Sequence, residues 1–398
     1  MTSIRVKDII YCRTAADFDH YLEEVDNQKV LPQCRIIIDY DGSLYEELDG
    51  LWPVARLSRI KQLGLAEKCR ETFSGGNSRY GHSITFAAKI DHLSQELGLD
   101  RELAVTTAML HDIATPPFSD SFSKAFGIND ERYFLRVLES WPDALDYLQK
   151  HGIRKEKVGE LVRGEDESPL GQLVNSKNSI DVDRWSYTVC DASPFLRLPE
   201  KGGFCLTIDP FENASVMNGK VVFGDIGEVG ALLEARTKMF ENVYRNGLLM
   251  AKEAFAKRLV TELQERGLID VDNLMHMTDE DFQGLVMCES EDFANRLFNI
   301  DGFAEYGSLD ADVETVKQEL SKLTENPFEV VRYRPCNPAI GTPILAGKKV
   351  KPYSELRPEH AAELKRRMSA WNVTHVYGYE NDETLAEAVK KLQGRLVA

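Results

Sequence analysis

From about residue 51 to residue 256 the apolar residues recur at helical spacing almost without a break, and no other feature constrains the fold as strongly. Between Ser83 and Leu97 the residues Ile84, Ala87, Ala88, Ile90, Leu93 and Leu97 share one stripe, the pattern of an amphipathic helix. Leu99-Asp100-Arg101-Glu102 opens a second helix with Asp100 as its N-cap. Its apolar run, Leu103 to Leu110, ends at His111-Asp112, and Ala114-Thr115-Pro116-Pro117 breaks the helix. Asn129 or Asp130 caps another helix running through Leu138. Leu161 to Val189 reads as a further helical region, and a long helical stretch runs from about Ile226 to Arg266. Between these two, Lys201 to Gly224 reads as a β-hairpin, with Phe204–Ile208 joined through a turn to Lys220–Phe223.

The flanks differ. Residues 1–50 mix a helix-like stretch around Ala15 to Val25 with the apolar run at 35–40, and are expected to form a small α+β element. Beyond Asp270 the chain turns acidic, and Asp279-Glu280-Asp281 and Glu289-Ser290-Glu291-Asp292 read as helix starts. Phe328 to Tyr333 alternates at period two, as a strand does. A helix from Leu356 to Trp371, a strand near Thr374 to Tyr377 and a last helix from Asp382 to Leu396 complete an α+β tail. The pattern divides the chain into 1–50, 51–265 and 266–398 and places it in the mainly α class, with a small β-hairpin insertion.

Of 398 residues, 43% are hydrophobic and 28% charged, the composition of a folded globular chain. Acidic residues outnumber basic ones by 65 to 48, a net charge of −17, which disfavours a phosphate-tracking groove for nucleic acid or binding to an anionic membrane. No apolar run reaches the roughly 18–20 residues that span a bilayer. The opening residues carry no signal-peptide core. The seven cysteines, at 12, 34, 69, 190, 205, 288 and 336, form no CxxC pair. Reduced thiols and a cytoplasmic location are the expectation.

Histidine is scarce, with eight in the chain. His82 stands at the start of one helix, the adjacent pair His111 and Asp112 at the end of the next, and Asp183 far down the chain. Two imidazoles and two carboxylates make a mixed nitrogen and oxygen donor set, suited to Mn, Fe, Co, Ni or Zn and less well to Mg. An ion held this way can activate water or polarise a phosphoryl oxygen. A lone His-Asp dipeptide also arises by chance, as a helix-end cap or a satisfied surface pair.

Four segments, in order, resemble the HD-domain phosphohydrolases, and among them the deoxynucleoside triphosphate triphosphohydrolases (the dGTPase-like enzymes and the vertebrate antiviral dNTPase). They are Arg59-Ile60-Lys61-Gln62-Leu63-Gly64, Ser78-Arg79-Tyr80-Gly81-His82-Ser83, His111-Asp112 through Ser119-Asp120, and Ile180-Asp181-Val182-Asp183-Arg184-Trp185-Ser186-Tyr187. The similarity covers roughly residues 50–260, and more loosely the tail, including Met277 to Phe282. It implies an HD-type helical core, a divalent metal (Mn, Fe, Co, Zn or Mg) on His82, His111, Asp112 and Asp183, and further Mg or Mn arriving with the triphosphate. It implies that Arg79, Arg184 and Arg245 hold the phosphates. It implies that Gln62 meets the 3′-hydroxyl, Leu63 crowds the 2′ position, Tyr187 packs on the sugar and Asp191 accepts a sugar hydroxyl. A homo-oligomer and a nucleotide activator are further implications, although Ser58 stands where an activator-reading arginine would be.

The chain departs from the family at three places. Thr115, Asp120 and Asp130-Glu131 stand where histidines or a His-Glu pair normally contact the α-phosphate and protonate the leaving oxygen. Thr115 is then expected beside the phosphate, and Asp120, Asp130 and Glu131 either transfer protons or bind an additional cation. The leading expectation is hydrolysis of deoxynucleoside triphosphates to deoxynucleoside and tripolyphosphate. The alternatives are another nucleotide phosphoester in the same site, or a nucleotide-binding regulator with weak catalysis.

Overall fold

In the computed structural model of the protein, the residues described are 42–69, 78–192, 197–198, 203–204, 208–299, 302–333, 336–370 and 372–397. The expected helix-like stretch at 15–25 and the apolar run at 35–40 lie outside them. Helices α1 (Gly42–Asp49) and α2 (Trp52–Arg56) are followed by two 3-10 segments, Leu57–Arg59 and Gly64–Cys69, and then by α3 (Arg79–Glu96) and α4 (Arg101–Leu110). Ser78 caps α3 by accepting the Gly81 N–H, and Asp100 caps α4 by accepting the Leu103 N–H. These two helices pack closely against each other and bury the stripe of Ile84, Ala87, Ile90, Ala104, Ala108 and Met109.

After α4 come α5 (Asp120–Phe126), α6 (Asp130–Glu139), α7 (Pro142–Lys150), α8 (Lys155–Val162), α9 (Pro169–Val174) and α10 (Val182–Ala192). Asn129, not Asp130, caps α6. The region expected to be helical from Leu161 to Val189 holds the end of α8, two further helices and the two loops between them. Gly164 stops α8 in a left-handed conformation, Ser168 and Pro169 restart the chain as α9, and residues 175–181 carry it to α10.

The expected hairpin is also rearranged. Gly203–Phe204 (β2) pairs with Arg197–Leu198 (β1), while Lys220–Phe223 (β4) pairs with Ala214–Met217 (β3). The turn between β3 and β4 is Asn218-Gly219, both at positive φ, the two-residue turn whose twist matches a hairpin. The long stretch from Ile226 to Arg266 is α11 (Ile226–Met239), a π-helical turn (Phe240–Tyr244) and α12 (Gly247–Glu265), recapped by Asn246.

The remainder holds α13 (Val271–Leu274), α14 (Asp279–Glu289), α15 (Glu291–Phe298), β5 (Phe303–Leu309), α16 (Val313–Ser321), β6 (Phe328–Arg332), β7 (Pro343–Ala346), β8 (Lys349–Pro352), α17 (Tyr353–Leu356), α18 (Pro358–Ser369), β9 (Thr374–Tyr379) and α19 (Glu383–Val397). The fold is mainly α with small sheets. β7 returns to lie parallel beside β4, giving the sheet order β3-β4-β7-β8, and an antiparallel sheet runs β5-β9-β6. One face of the latter meets α12, where Phe255 stacks on Phe303 and Tyr379 at 4.4 and 5.2 Å. A smaller apolar cluster, built on Val316, Leu320, Val330, Val376, Leu385 and Val389, joins that sheet to α16 and α19. No helix among the described residues is long and apolar enough to cross a membrane.

Candidate metal centre and substrate cavity

Helix geometry sets the centre. His82 lies in the first turn of α3, His111 ends α4 as its C-cap, and Asp183 lies in the first turn of α10. Because α3 packs on both α4 and α10, three sequence-distant ligands meet. His82 Nε2 lies 2.9 Å from Asp183 Oδ1 and 3.2 Å from His111 Nε2. Asp112 Oδ2 stands 3.4 Å from His111 Nε2 and 3.8 Å from His82 Nε2. His82, His111 and Asp183 each offer one donor atom within 4.8 Å of the other two, a group that could hold one divalent ion, and Asp112 stands beside the two imidazoles.

The outer nitrogens decide which atoms are free to bind. His111 Nδ1 donates to the Ala108 carbonyl at 2.7 Å, and His82 Nδ1 donates to Ser186 Oγ at 2.9 Å, which in turn donates to the Asp183 carbonyl. Both Nε2 lone pairs then face the same point, and two such acceptors 3.2 Å apart repel unless a proton or a cation lies between. Without a metal a proton fills that need. Burial opposes charge on His82, but its hydrogen bond to Asp183 and the nearby Asp112 outweigh it and raise its pKa. Burial lowers the pKa of His111. Burial also opposes ionisation of Asp112, yet Arg79 and the two imidazoles hold its carboxyl well below the ordinary range. The donor set therefore fits a divalent ion.

A cavity of about 510 Å³ opens over this centre. Of the expected residues, Gln62, Leu63, Arg79, His111, Asp112, Asp120, Asp130, Glu131, Asp183, Tyr187, Asp191 and Arg245 line it. His82 lies beneath it, 1% exposed. Two buried acceptors along its wall have no hydrogen-bond partner, Gln62 Oε1 and Asp191 Oδ1. Burial pushes the Asp191 carboxyl up to about 7, against the pull of the Tyr244 phenol, which donates to its other oxygen at 2.8 Å.

Two expected residues are placed elsewhere. Arg184 does not line the cavity, because its guanidinium turns back to pair with Asp181 and the Ser179 carbonyl. Thr115 is fully buried, and its hydroxyl donates to Asp112 Oδ1 at 3.3 Å instead of facing the cavity. Arg79 reaches the cavity fully engaged, with Nε donating to Ser119 Oγ at 2.6 Å, Nη1 to Asp112 at 3.0 Å and Nη2 to Asp120 at 2.5 Å. Half-buried Asp130 is pushed up to about 7 by desolvation and then by the neighbouring Asp120. Glu131 is raised by burial and by Asp183.

Other lining residues were not anticipated. Lys124 and Glu253 meet at 2.9 Å across α5 and α12. The position of Lys124, one helical turn after Asp120, was a usable signal for its facing the same way. The π-helical turn delivers Phe240 and Tyr244, and packs Arg245 against the Phe240 ring on one side and Tyr333 on the other. Tyr333 and Cys336, whose thiol accepts from Arg245 at 3.1 Å, come from nearly a hundred residues away, and no local pattern could have announced them.

Comparison with known proteins agrees with this geometry. A model described as HD domain matches residues 79–189, the stretch that carries all four candidate ligands. An uncharacterized protein of Methanocaldococcus jannaschii is 26% identical over 236 residues, 56% of this chain and 47% of its own length. The uncharacterized protein YwfO of Bacillus subtilis is 28% identical over 157 residues, 37% of this chain and 35% of its own. The chain thus spans less than half the length of these curated relatives. Among solved structures, a hypothetical protein from Aquifex aeolicus aligns with a TM-score of 0.65 at 19% identity, over 88% of this chain and 96% of its own. A phosphohydrolase from Bacteroides thetaiotaomicron aligns with a TM-score of 0.66 at 17% identity, over 86% and 97%. These two likenesses concern the fold. Residues 79–189 of the chain therefore form an HD domain, set within an architecture that other solved proteins share over most of its length.

Proposed function

We propose that the protein is a metal-dependent phosphohydrolase that cleaves a deoxynucleoside triphosphate into deoxynucleoside and tripolyphosphate. The observation that carries this reading is the convergence of His82, His111 and Asp183, with Asp112 beside the imidazoles, at a nucleotide-sized cavity that Arg79 also enters. A divalent ion held there supplies Lewis acidity, polarising the phosphoryl group and easing deprotonation of an attacking water. Arg79 orients the α-phosphate beside the metal ligands. Gln62 Oε1 and Asp191 Oδ1 accept hydroxyls of the sugar, while Tyr187 and Leu63 pack against its faces. Water attacks the α-phosphorus, the bond from phosphorus to O5′ breaks, and O5′ takes up a proton. Asp130, whose pKa of about 7 leaves it partly protonated near neutrality, is suited to supply that proton.

A second reading has its own observation. Arg184 is turned to Asp181, Arg79 is already shared by Asp112 and Asp120, and Lys124 is paired with Glu253, so much of the positive charge at the cavity is already matched by carboxylates. That favours a phosphoester with fewer charges. Product analysis decides between the two. Purified protein is incubated with all four deoxynucleoside triphosphates, singly and mixed, and with nucleoside monophosphates, in Mn, Co or Mg. Deoxynucleoside plus tripolyphosphate, lost in Asp183→Ala, supports the first reading, and orthophosphate from a monophosphate supports the second. Nucleotide binding without any turnover overturns both and leaves a regulator.

A further inference from the structure

The turn between the metal pair and α5 is strained. Phe118 and Ser119 sit at φ 54° and 58°, a region that is unfavourable for a non-glycine residue and persists only where the surroundings enforce it. Two buried side chains that do not line the cavity do the enforcing. Arg56, 1% exposed, donates through Nη2 to the carbonyls of Ile113 at 3.0 Å and Thr115 at 2.8 Å, and through Nη1 to Met277 at 2.6 Å. Asp279, at the start of α14, accepts the Phe118 N–H on one oxygen at 2.6 Å and the Lys61 N–H on the other at 2.9 Å. One carboxylate thus ties the turn to the segment that precedes Gln62.

What this turn presents is functional. Ser119 Oγ accepts from Arg79 Nε and donates to the Gln62 carbonyl at 3.1 Å, and the next residue, Asp120, accepts from Arg79 Nη2. The conformation of the turn therefore sets where the Arg79 fork points. We propose that Arg56 and Asp279 are positioning residues that hold the 116–119 turn in its strained form and so aim Arg79 into the cavity. The proposal goes beyond the phosphohydrolase reading but rests on it for its catalytic consequence. It makes a carboxylate lying well outside the HD domain, on α14, part of the working site.

The test has two arms. In the first, proton exchange at Arg79 Nε–H is followed by NMR in the metal-free protein, with Trp185 Nε1–H, which donates to the Ile208 carbonyl at 2.7 Å, as internal control. Asp279→Asn is expected to speed exchange at Arg79 about 10-fold or more while leaving Trp185 unchanged. Equal acceleration at both means a general loss of stability and overturns the proposal, as does no change at Arg79. In the second arm, Asp279→Asn is expected to lower kcat about 10- to 100-fold with Mn affinity unchanged. That loss should be absent in an Arg79→Gln background, because the two residues act through one fork. Losses that multiply in the double variant overturn the proposal. Arg59→Gln, which breaks the exposed Arg59–Glu280 bridge on the same helix, serves as a control and is expected to change neither arm. Should Asp279→Asn fail to fold, Arg56→Lys, which keeps the charge but loses the paired donation to the Ile113 and Thr115 carbonyls, takes its place in both arms. If the parent protein shows no turnover, the phosphohydrolase reading fails, and the exchange arm still decides the clamp.

Discussion

His82 and His111 are held by their outer nitrogens, so under the proposed reading the affinity for a metal depends on residues that never touch the ion. Ser186 anchors His82 and is itself tied to the Asp183 backbone. Asp183→Ala is expected to abolish specific Mn binding, whereas Ser186→Ala should weaken it about 10- to 100-fold without changing stoichiometry; calorimetry on metal-stripped protein distinguishes the two. Asp191 is expected to set a pH dependence of stability. Its carboxyl titrates near 7 in the folded chain because burial disfavours the charge, but near 4 when unfolded. The folded state therefore binds more protons between about pH 4 and 7, and stability from this group falls as pH rises through that window. Asp191→Asn removes the titration. Melting curves of metal-free protein from pH 4.5 to 8 should show a flatter decline for the variant, with its advantage over the parent growing toward pH 8. Asp130 titrates in the same window, so some slope remains.

The elements work as levers on the site. Gly64 occupies a 3-10 turn at φ 53°, and a Cβ there would stand 2.0 Å from the Phe118 carbonyl oxygen. That contact is with backbone, in the strained turn itself, so neither partner can move aside cheaply. Gly64→Ala is expected to lower both stability and turnover, with Asp100→Ala as a useful contrast. The latter loses an exposed N-cap on α4 and should cost about 1 kcal/mol in denaturant midpoint while activity per folded molecule stays unchanged. The π-helical turn at 240–244 is another such device. One widened turn rotates Tyr244 onto Asp191 and brings Arg245 between two rings, where a continuous α-helix from Ile226 would have aimed them differently.

At the scale of the molecule, the C-terminal half is bound tightly to the HD domain and finishes its cavity. Phe255 is fully buried between α12 and the β5-β9-β6 sheet, and Tyr333 from the end of β6 lines the cavity wall. Phe255→Ala is expected to cost about 3–5 kcal/mol in chemical denaturation. It should also weaken nucleotide binding by displacing Tyr333, an effect that a purely local cavity in the core would not produce. The Arg367 guanidinium, paired with Glu234 and Glu241 on α11 and the π-helical turn, fastens α18 to the same side.

Most of the helices, the cap at Asp100 and the candidate metal-binding residues were legible in the sequence, because each depends on local periodicity or on residue chemistry. Asp100 caps its helix for a reason contained within four residues, and His82, His111, Asp112 and Asp183 announce their donor atoms by type. The hairpin partner of Lys220–Phe223 was also within reach, since Asn218-Gly219 is a strong turn signal, but an apolar run at 204–208 competed with it. What the tertiary structure alone decided is where each charge points. Arg184 looked like a phosphate ligand by position, yet Asp181, one helical turn earlier, captures it. Thr115 is drawn into the core by its hydrogen bond to Asp112. Tyr333, Cys336 and Asp279 reach the site through packing over distances of one to two hundred residues. A side chain's direction follows from the nearest opposite charge and the space left by its neighbours, and both are set only when distant elements meet.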